Sequence, residues 1–234
     1  MTDAATVDLS ILVPVYNERD TVERAVQQIL DVNYPVESFE LVVVDDGSTD
    51  GTRELLRSAS WPENVRVHFH DRNRGKGAAV RTALDHARGT YSTIMDADLE
   101  YDPVNLPKLL QPLRDGEAEA VFGARGFASH TVYSFWYVIG NRGVSFAANL
   151  LFNTWISDIM TCHKMMSTAL FRSLRLREPG FGIEPEITAR LVRAGVRIYE
   201  VPITYRARSR GEGKKLTAVD GLRVLRTLLR CRVA

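Results

Sequence analysis

The run Ile94-Met95-Asp96-Ala97-Asp98-Leu99-Glu100-Tyr101 carries the densest chemistry of this chain: a strand-like apolar stretch delivers Asp96 and Asp98, and Glu100 follows before a turn at Asp102-Pro103. In extended backbone, residues two apart point to the same side, so the three carboxylates are expected on one face. Oxygen donors alone suit a hard cation, Mg2+ or Mn2+, and such a cation suits a diphosphate leaving group, whose developing charge it neutralises. The competing reading of Asp-x-Asp is a solvated turn. Two further polar clusters leave apolar runs in the same way, Val13-Pro14-Val15-Tyr16-Asn17-Glu18 and Val44-Asp45-Asp46-Gly47-Ser48-Thr49-Asp50. An aromatic ring, a carboxylate and a glycine that allows close backbone approach are what a nucleoside requires.

Bringing these clusters together needs elements that all end on one side. Residues 8–14 and 39–44 read as buried parallel strands, with further strands at about 65–69, 91–95 and 119–122. Helices are expected near 19–31, 50–58, 75–88 and 104–114, the second opening at the cap-type residues Ser48-Thr49-Asp50. This β-α repetition predicts an α/β fold with a doubly wound, mainly parallel sheet and a ligand crevice at the carboxyl ends of its strands.

Composition narrows the classes. With 234 residues and 45% hydrophobic content the chain can bury one large α/β core, and a net charge of +1 argues against nucleic acid as a partner. Two cysteines, Cys162 and Cys231, make no disulfide framework and suit a reducing compartment. The first residues lack a signal-peptide pattern and no window reaches the roughly 20 apolar residues of a membrane span, so a cytoplasmic location is expected. His68 and His70 lack partners at zinc spacing, and no dinucleotide, Walker or nucleophile-elbow motif is present.

Taken in order, Leu12-Val13-Pro14-Val15-Tyr16-Asn17-Glu18, Val43 to Asp50, Asn73-Arg74-Gly75-Lys76-Gly77, Asp96-Ala97-Asp98, Gly123-Ala124-Arg125 and Glu200-Val201-Pro202-Ile203-Thr204-Tyr205 span nearly the whole chain. This set resembles the family 2 glycosyltransferases of GT-A fold, and among them the polyprenyl-phosphate (dolichyl-phosphate) mannose or glucose synthases. The resemblance implies a nucleotide-sugar donor, UDP-glucose or GDP-mannose, a divalent metal, and inversion at the anomeric carbon. It implies that Pro14, Tyr16, Glu18 and Asp46 hold the nucleoside, that Lys76 belongs to the substrate site, and that Asp96, Asp98 and Glu100 line the metal site, with Asp98 central to catalysis. Many relatives carry Gln in place of Glu100, and Tyr or Phe in place of His163. Asp158 is expected to bind a sugar hydroxyl or to orient its segment. The chain lacks the Gln-x-x-Arg-Trp of processive synthases, which implies transfer of a single sugar.

A phosphate monoester acceptor is anionic already and needs cations more than a base. Arg125, after the strand at 119–122, is the first candidate, because guanidinium grips phosphate oxygens in pairs. The basic run Arg206 to Lys215 supplies more, and the resemblance singles out Arg208 and Lys214 in a glycine-containing loop. Residues 133–156 are aromatic-rich and broken by Asn141, Arg142, Asn149 and Asn153. They suit a helix lying on a membrane surface, or one packed on the domain or in a homodimer interface. A C-terminal helix is expected to show an apolar stripe of Leu216, Val219, Leu222, Leu225 and Leu229, with Arg223, Arg226 and Arg230 on another face. The expected organisation is a GT-A catalytic domain over 1–205 and a basic loop with an amphipathic interfacial helix over 206–234, peripheral on the cytoplasmic membrane face. The alternatives are a hydroxyl acceptor, with Asp158, Glu184 or Glu186 as base, and a nucleotide-sugar-binding regulatory module without catalysis.

Overall fold

The computed structural model describes residues 7–125, 130–131, 135–208 and 218–233. In the first half, β1 (Leu9–Val15), β2 (Phe39–Asp45), β3 (Val65–Phe69) and β4 (Tyr91–Ile94) alternate with α1 (Val22–Leu30), α2 (Thr52–Ser58) and α3 (Lys76–His86). There follow α4 (Leu106–Arg114), β5 (Ala120–Ala124), β6 (His130–Thr131), α5 (Phe135–Phe152), β7 (Lys164–Ser167) and α6 (Thr168–Ser173). The chain continues through α7 (Ile183–Arg193), β8 (Ile198–Pro202), β9 (Tyr205–Arg206) and α8 (Ala218–Val233). A seven-stranded sheet has the order β3-β2-β1-β4-β7-β5-β8, and β6 and β9 form a separate parallel pair.

The apolar runs of β1 and β2 are buried along almost their whole length, which requires cover on both faces and is met by helices packed on the sheet. Helix α1 shows why: Val22, Ala25, Val26 and Ile29 are buried at helical spacing. Every strand expected from the sequence is present within a few residues of its expected bounds. Strands β6 to β9 were not anticipated, and of these β7 runs antiparallel between β4 and β5. It begins with Lys164, fully buried, and one charged residue in a short strand hides it from an apolar-run criterion.

Helix α5 packs Ser145 and Ala148 inward and leaves Phe135, Ile139, Phe146 and Leu150 exposed, as is Trp155 beyond its end. The chain departs from α5 at Asn153, whose φ is 49°. Helix α8 corrects the expected stripe. Its buried face is Val224, Thr227, Leu228 and Cys231, whereas Leu229 is 56% exposed. The reason is that α8 packs against both α5 and α7, and that contact selects its own i, i+4, i+7 row. Leu216 lies outside the described residues. No helix among the described residues is long and apolar enough to cross a membrane.

Candidate active site

The polar clusters gather where β1, β2 and β4 end. Pro14 and Tyr16 are partly exposed at the end of β1, and the following loop is tied to the loop after β2. Asn17 N–H donates to Ser48 Oγ at 2.9 Å, Thr49 N–H donates to Asn17 Oδ1 at 2.9 Å, and Glu18 N–H donates to Thr52 Oγ1 at 3.0 Å. Asn17 adopts a φ of 51°, a left-handed conformation that asparagine tolerates. Asp46 is buried and receives the N–H groups of Arg74 at 2.9 Å and Gly75 at 2.7 Å, while His70 Nδ1 lies 2.7 Å away. Its carboxylate therefore fixes the turn that opens α3 and already holds three partners. His70, set aside in the sequence for want of zinc spacing, is braced in turn by Thr82 Oγ1 at 2.9 Å.

The start of α3 is pressed against the loop preceding α7. A Cβ at Gly77 would stand 2.1 Å from the Glu178 carbonyl oxygen, so only glycine fits there. This close approach brings Lys76 into a buried line of alternating charge. Its Nζ donates to Asp96 Oδ2 at 2.8 Å and lies 2.9 Å from Glu184 Oε1, an ion-pair contact off the hydrogen-bonding angle. Glu184 also receives Lys164 Nζ at 2.6 Å, and Lys164 donates further to the carbonyls of Ile159 at 3.1 Å and Thr161. Burial pushes the Glu184 carboxyl up, but the two lysine charges outweigh it and hold it below the ordinary range.

The acidic run departs from the extended geometry expected of it. Strand β4 stops at Ile94, and the chain turns through Leu99 at a φ of 61°, so the three carboxylates are not set by strand alternation. Asp96 faces Lys76. Glu100 turns elsewhere: Tyr205 Oη–H donates to Oε2 at 2.5 Å and Arg208 N–H to Oε1 at 2.8 Å. Among the described residues no three His, Cys, Asp or Glu side chains form a metal cage. Asp96 and Asp98 nevertheless fit a cation that takes its other ligands from phosphate oxygens, as Mg2+ does. Burial and then the Asp96 and Glu100 charges push the Asp98 carboxyl up to about 7. The engaged oxygens of Glu100 make it the member of the triplet that fits least well.

Arg208 spans the opening. Its two terminal nitrogens each donate to a Glu18 oxygen at 3.1 Å, and one lies 3.4 Å from Asp98 Oδ2. Arg125 instead holds Asp158 with two parallel bonds, Nε to Oδ2 at 2.5 Å and a terminal nitrogen to Oδ1 at 2.9 Å. Asn141 Nδ2 and Met160 N–H also donate to Asp158, each at 3.1 Å. Burial would raise the Asp158 carboxyl, yet Arg125 holds it below the ordinary range. The Tyr205 ring lies under the Arg125 guanidinium, 4.8 Å from its centroid, so Tyr205 joins the two cationic groups through Glu100. Lys214 lies outside the described residues.

His163 is a packed residue: it is fully buried beside Met95 Sδ at 3.1 Å and the Tyr101 ring, and burial pushes it down to about 3. Lys164, Tyr205 and Glu200 were not assigned roles from sequence. Glu200 accepts Ser157 N–H at 3.0 Å and so anchors the segment leading to Asp158. Glu200 and Tyr205 both stand in the Glu-Val-Pro-Ile-Thr-Tyr motif, the one available signal; Lys164 had none.

Comparison with known proteins bears on this arrangement. The model of glycosyl transferase family 2 matches residues 10–175. The chain is similar to glycosyltransferase AglJ of Haloferax volcanii, 32% identical over 215 residues, covering 90% of this chain and 67% of the relative. It is similar to a dolichol-phosphate mannosyltransferase of Pyrococcus furiosus, 29% identical over 211 residues, covering 88% of this chain and 58% of that one. The curated relatives are thus longer than the chain, which spans from 35% to 67% of their lengths. Among solved structures, glucosyl-3-phosphoglycerate synthase from Mycobacterium tuberculosis with Mn2+, UDP and glucosyl-3-phosphoglycerate superposes with a TM-score of 0.72 at 24% identity. That match covers 98% of this chain and 81% of the other, and shows the shared GT-A fold.

Proposed function

This chain belongs to glycosyl transferase family 2, its activity class is therefore sugar transfer, and from that premise we propose that it moves one hexose, with inversion, from a nucleoside-diphosphate sugar to a polyprenyl monophosphate. A bond forms between an acceptor phosphate oxygen and the anomeric carbon while the bond from that carbon to the diphosphate breaks, releasing nucleoside diphosphate. A divalent cation held by Asp96 and Asp98, Mg2+ or Mn2+, would supply Lewis-acid neutralisation of the leaving diphosphate. The Mycobacterium tuberculosis neighbour is described with UDP-glucose and the Pyrococcus furiosus relative is a mannosyltransferase, so UDP-glucose and GDP-mannose are the donors of this reading.

One observation carries the choice of acceptor: every carboxylate considered as a base is committed to other partners. Asp158 holds Arg125, Glu184 lies between Lys76 and Lys164, and Glu186 receives the N–H groups of Arg177 and Glu178 and the Arg190 side chain. Asp158 and Glu184 are held below the ordinary carboxylate range, which makes them poor acceptors for a hydroxyl proton. An acceptor that is anionic without proton removal suits such a site. The nearness of Arg208 to Asp98, 3.4 Å, supports a role for it at the phosphates, and Arg125 offers the N–H groups that Asp158 does not take.

The outward apolar residues of α5, with Trp155 and the exposed Arg142, Arg226 and Arg232, favour a membrane surface presenting that lipid. In this reading 1–205 is the catalytic unit and 206–234 the appended basic loop and helix, on the cytoplasmic face. A homodimer through the α5 face is the competing arrangement. The test compares polyprenyl phosphate, the same lipid with a free hydroxyl, and 3-phosphoglycerate, at fixed Mn2+ and donor, by mass detection of the glycosylated product. Transfer to polyprenyl phosphate alone is expected. Equal rates for the free-hydroxyl lipid would overturn the phosphate-acceptor reading.

A further inference from the structure

Glu184 and Lys164 form a closed ion pair in the interior, with side chains 2% and 0% exposed. A buried pair of this kind adds little stability over a well-packed apolar pair, because desolvation offsets the attraction, so its presence calls for another explanation. Its connections supply one. Glu184 shares Lys76 with Asp96, at 2.9 and 2.8 Å respectively, and Lys164 is satisfied by Glu184 and the carbonyls of Ile159 and Thr161. The order of charges along this line is Asp96 negative, Lys76 positive, Glu184 negative, Lys164 positive.

We infer that Glu184 and Lys164 are positioning residues that apportion the Lys76 charge, keeping Asp96 negative enough to hold a divalent cation. This rests on the reading that Asp96 and Asp98 receive that cation. Without the Glu184 charge, Lys76 keeps Asp96 as its one carboxylate partner among the described residues and neutralises it. Without the Lys164 charge, Glu184 keeps Lys76 as its one cationic partner among the described residues and draws it away from Asp96. The two substitutions therefore act in opposite directions on the metal site, whereas a merely structural pair would loosen it in the same direction from either end.

The experiment titrates Mn2+ into the full chain with UDP or GDP present and reads free Mn2+ by electron paramagnetic resonance, with no turnover involved. Glu184→Gln should weaken Mn2+ binding about tenfold, the scale on which one neighbouring charge moves a carboxylate equilibrium. Lys164→Met should bind Mn2+ at least as tightly as the unaltered protein. Should either single variant misfold, Glu184→Gln with Lys164→Met leaves no unpaired charge of this pair and should bind as weakly as Glu184→Gln. Mn2+ binding unchanged in the Glu184→Gln or the double variant, or weakened equally by Glu184→Gln and Lys164→Met, overturns the inference alone. No Mn2+ binding by the unaltered protein overturns the metal reading as well.

Discussion

Replacing Asp98 with asparagine should remove function and add stability. Asp98 has its carboxyl raised from 3.8 to about 7 by burial and by Asp96 and Glu100, with about 20% of its side chain exposed. A folded-state value above the unfolded one means the folded protein binds the extra proton, so stability falls as pH rises between the two values and the penalty is complete above 7. At about 1.36 kcal/mol per pH unit the ceiling is roughly 4 kcal/mol at pH 8, and halving it for solvent screening and the lost Arg208 contact leaves about 2 kcal/mol. For a chain of this size that corresponds to a rise in Tm of roughly 4–8 °C. The side-chain oxygen of asparagine still accepts the Glu100 N–H that Asp98 Oδ1 accepts at 3.0 Å, so the turn is retained. Differential scanning calorimetry of the metal-free protein at pH 8 and 5.5 is the assay. The gain should roughly halve at pH 5.5, Mn2+ should raise the Tm of the original protein more at pH 8, and the variant should show no Mn2+ response and lose roughly two to three orders of magnitude in turnover. A variant less stable than the original at pH 8, or one whose gain grows on acidification, would refute the reasoning.

Arg125→Lys exchanges a two-bond grip on Asp158 for one point charge, so acceptor turnover should fall roughly 10- to 100-fold, as expected for loss of a charge-assisted bond of about 1.5–3 kcal/mol. Donor affinity by calorimetric titration should stay the same; steady-state kinetics like those of the original protein would contradict that role. Gly77→Ala forces a methyl against the Glu178 carbonyl and should lower stability by about 1–3 kcal/mol in urea unfolding, with an unshifted midpoint as the contrary result.

What was legible in the sequence follows from local pattern. Runs such as Leu41 to Val44 are apolar without alternation because both faces of the sheet are covered, and that marks buried parallel strands whatever the rest of the chain does. Since strands and helices alternate, the polar residues at 16–18, 45–50 and 96–98 had to collect at one end of the sheet, and the family could be recognised from them. Pairings between distant charges were not legible. Arg208 reaches Glu18 across 190 residues, and Lys164 is buried only because β7 enters the sheet antiparallel and carries it to Glu184. The same holds for the acidic run, where the chain turns left-handed at Leu99 and the Glu100 carboxylate accepts from Tyr205 Oη–H and the Arg208 N–H. Periodicity reports which face of an element is apolar; which partner satisfies a buried charge is decided by packing between elements, where desolvation makes each pairing obligatory.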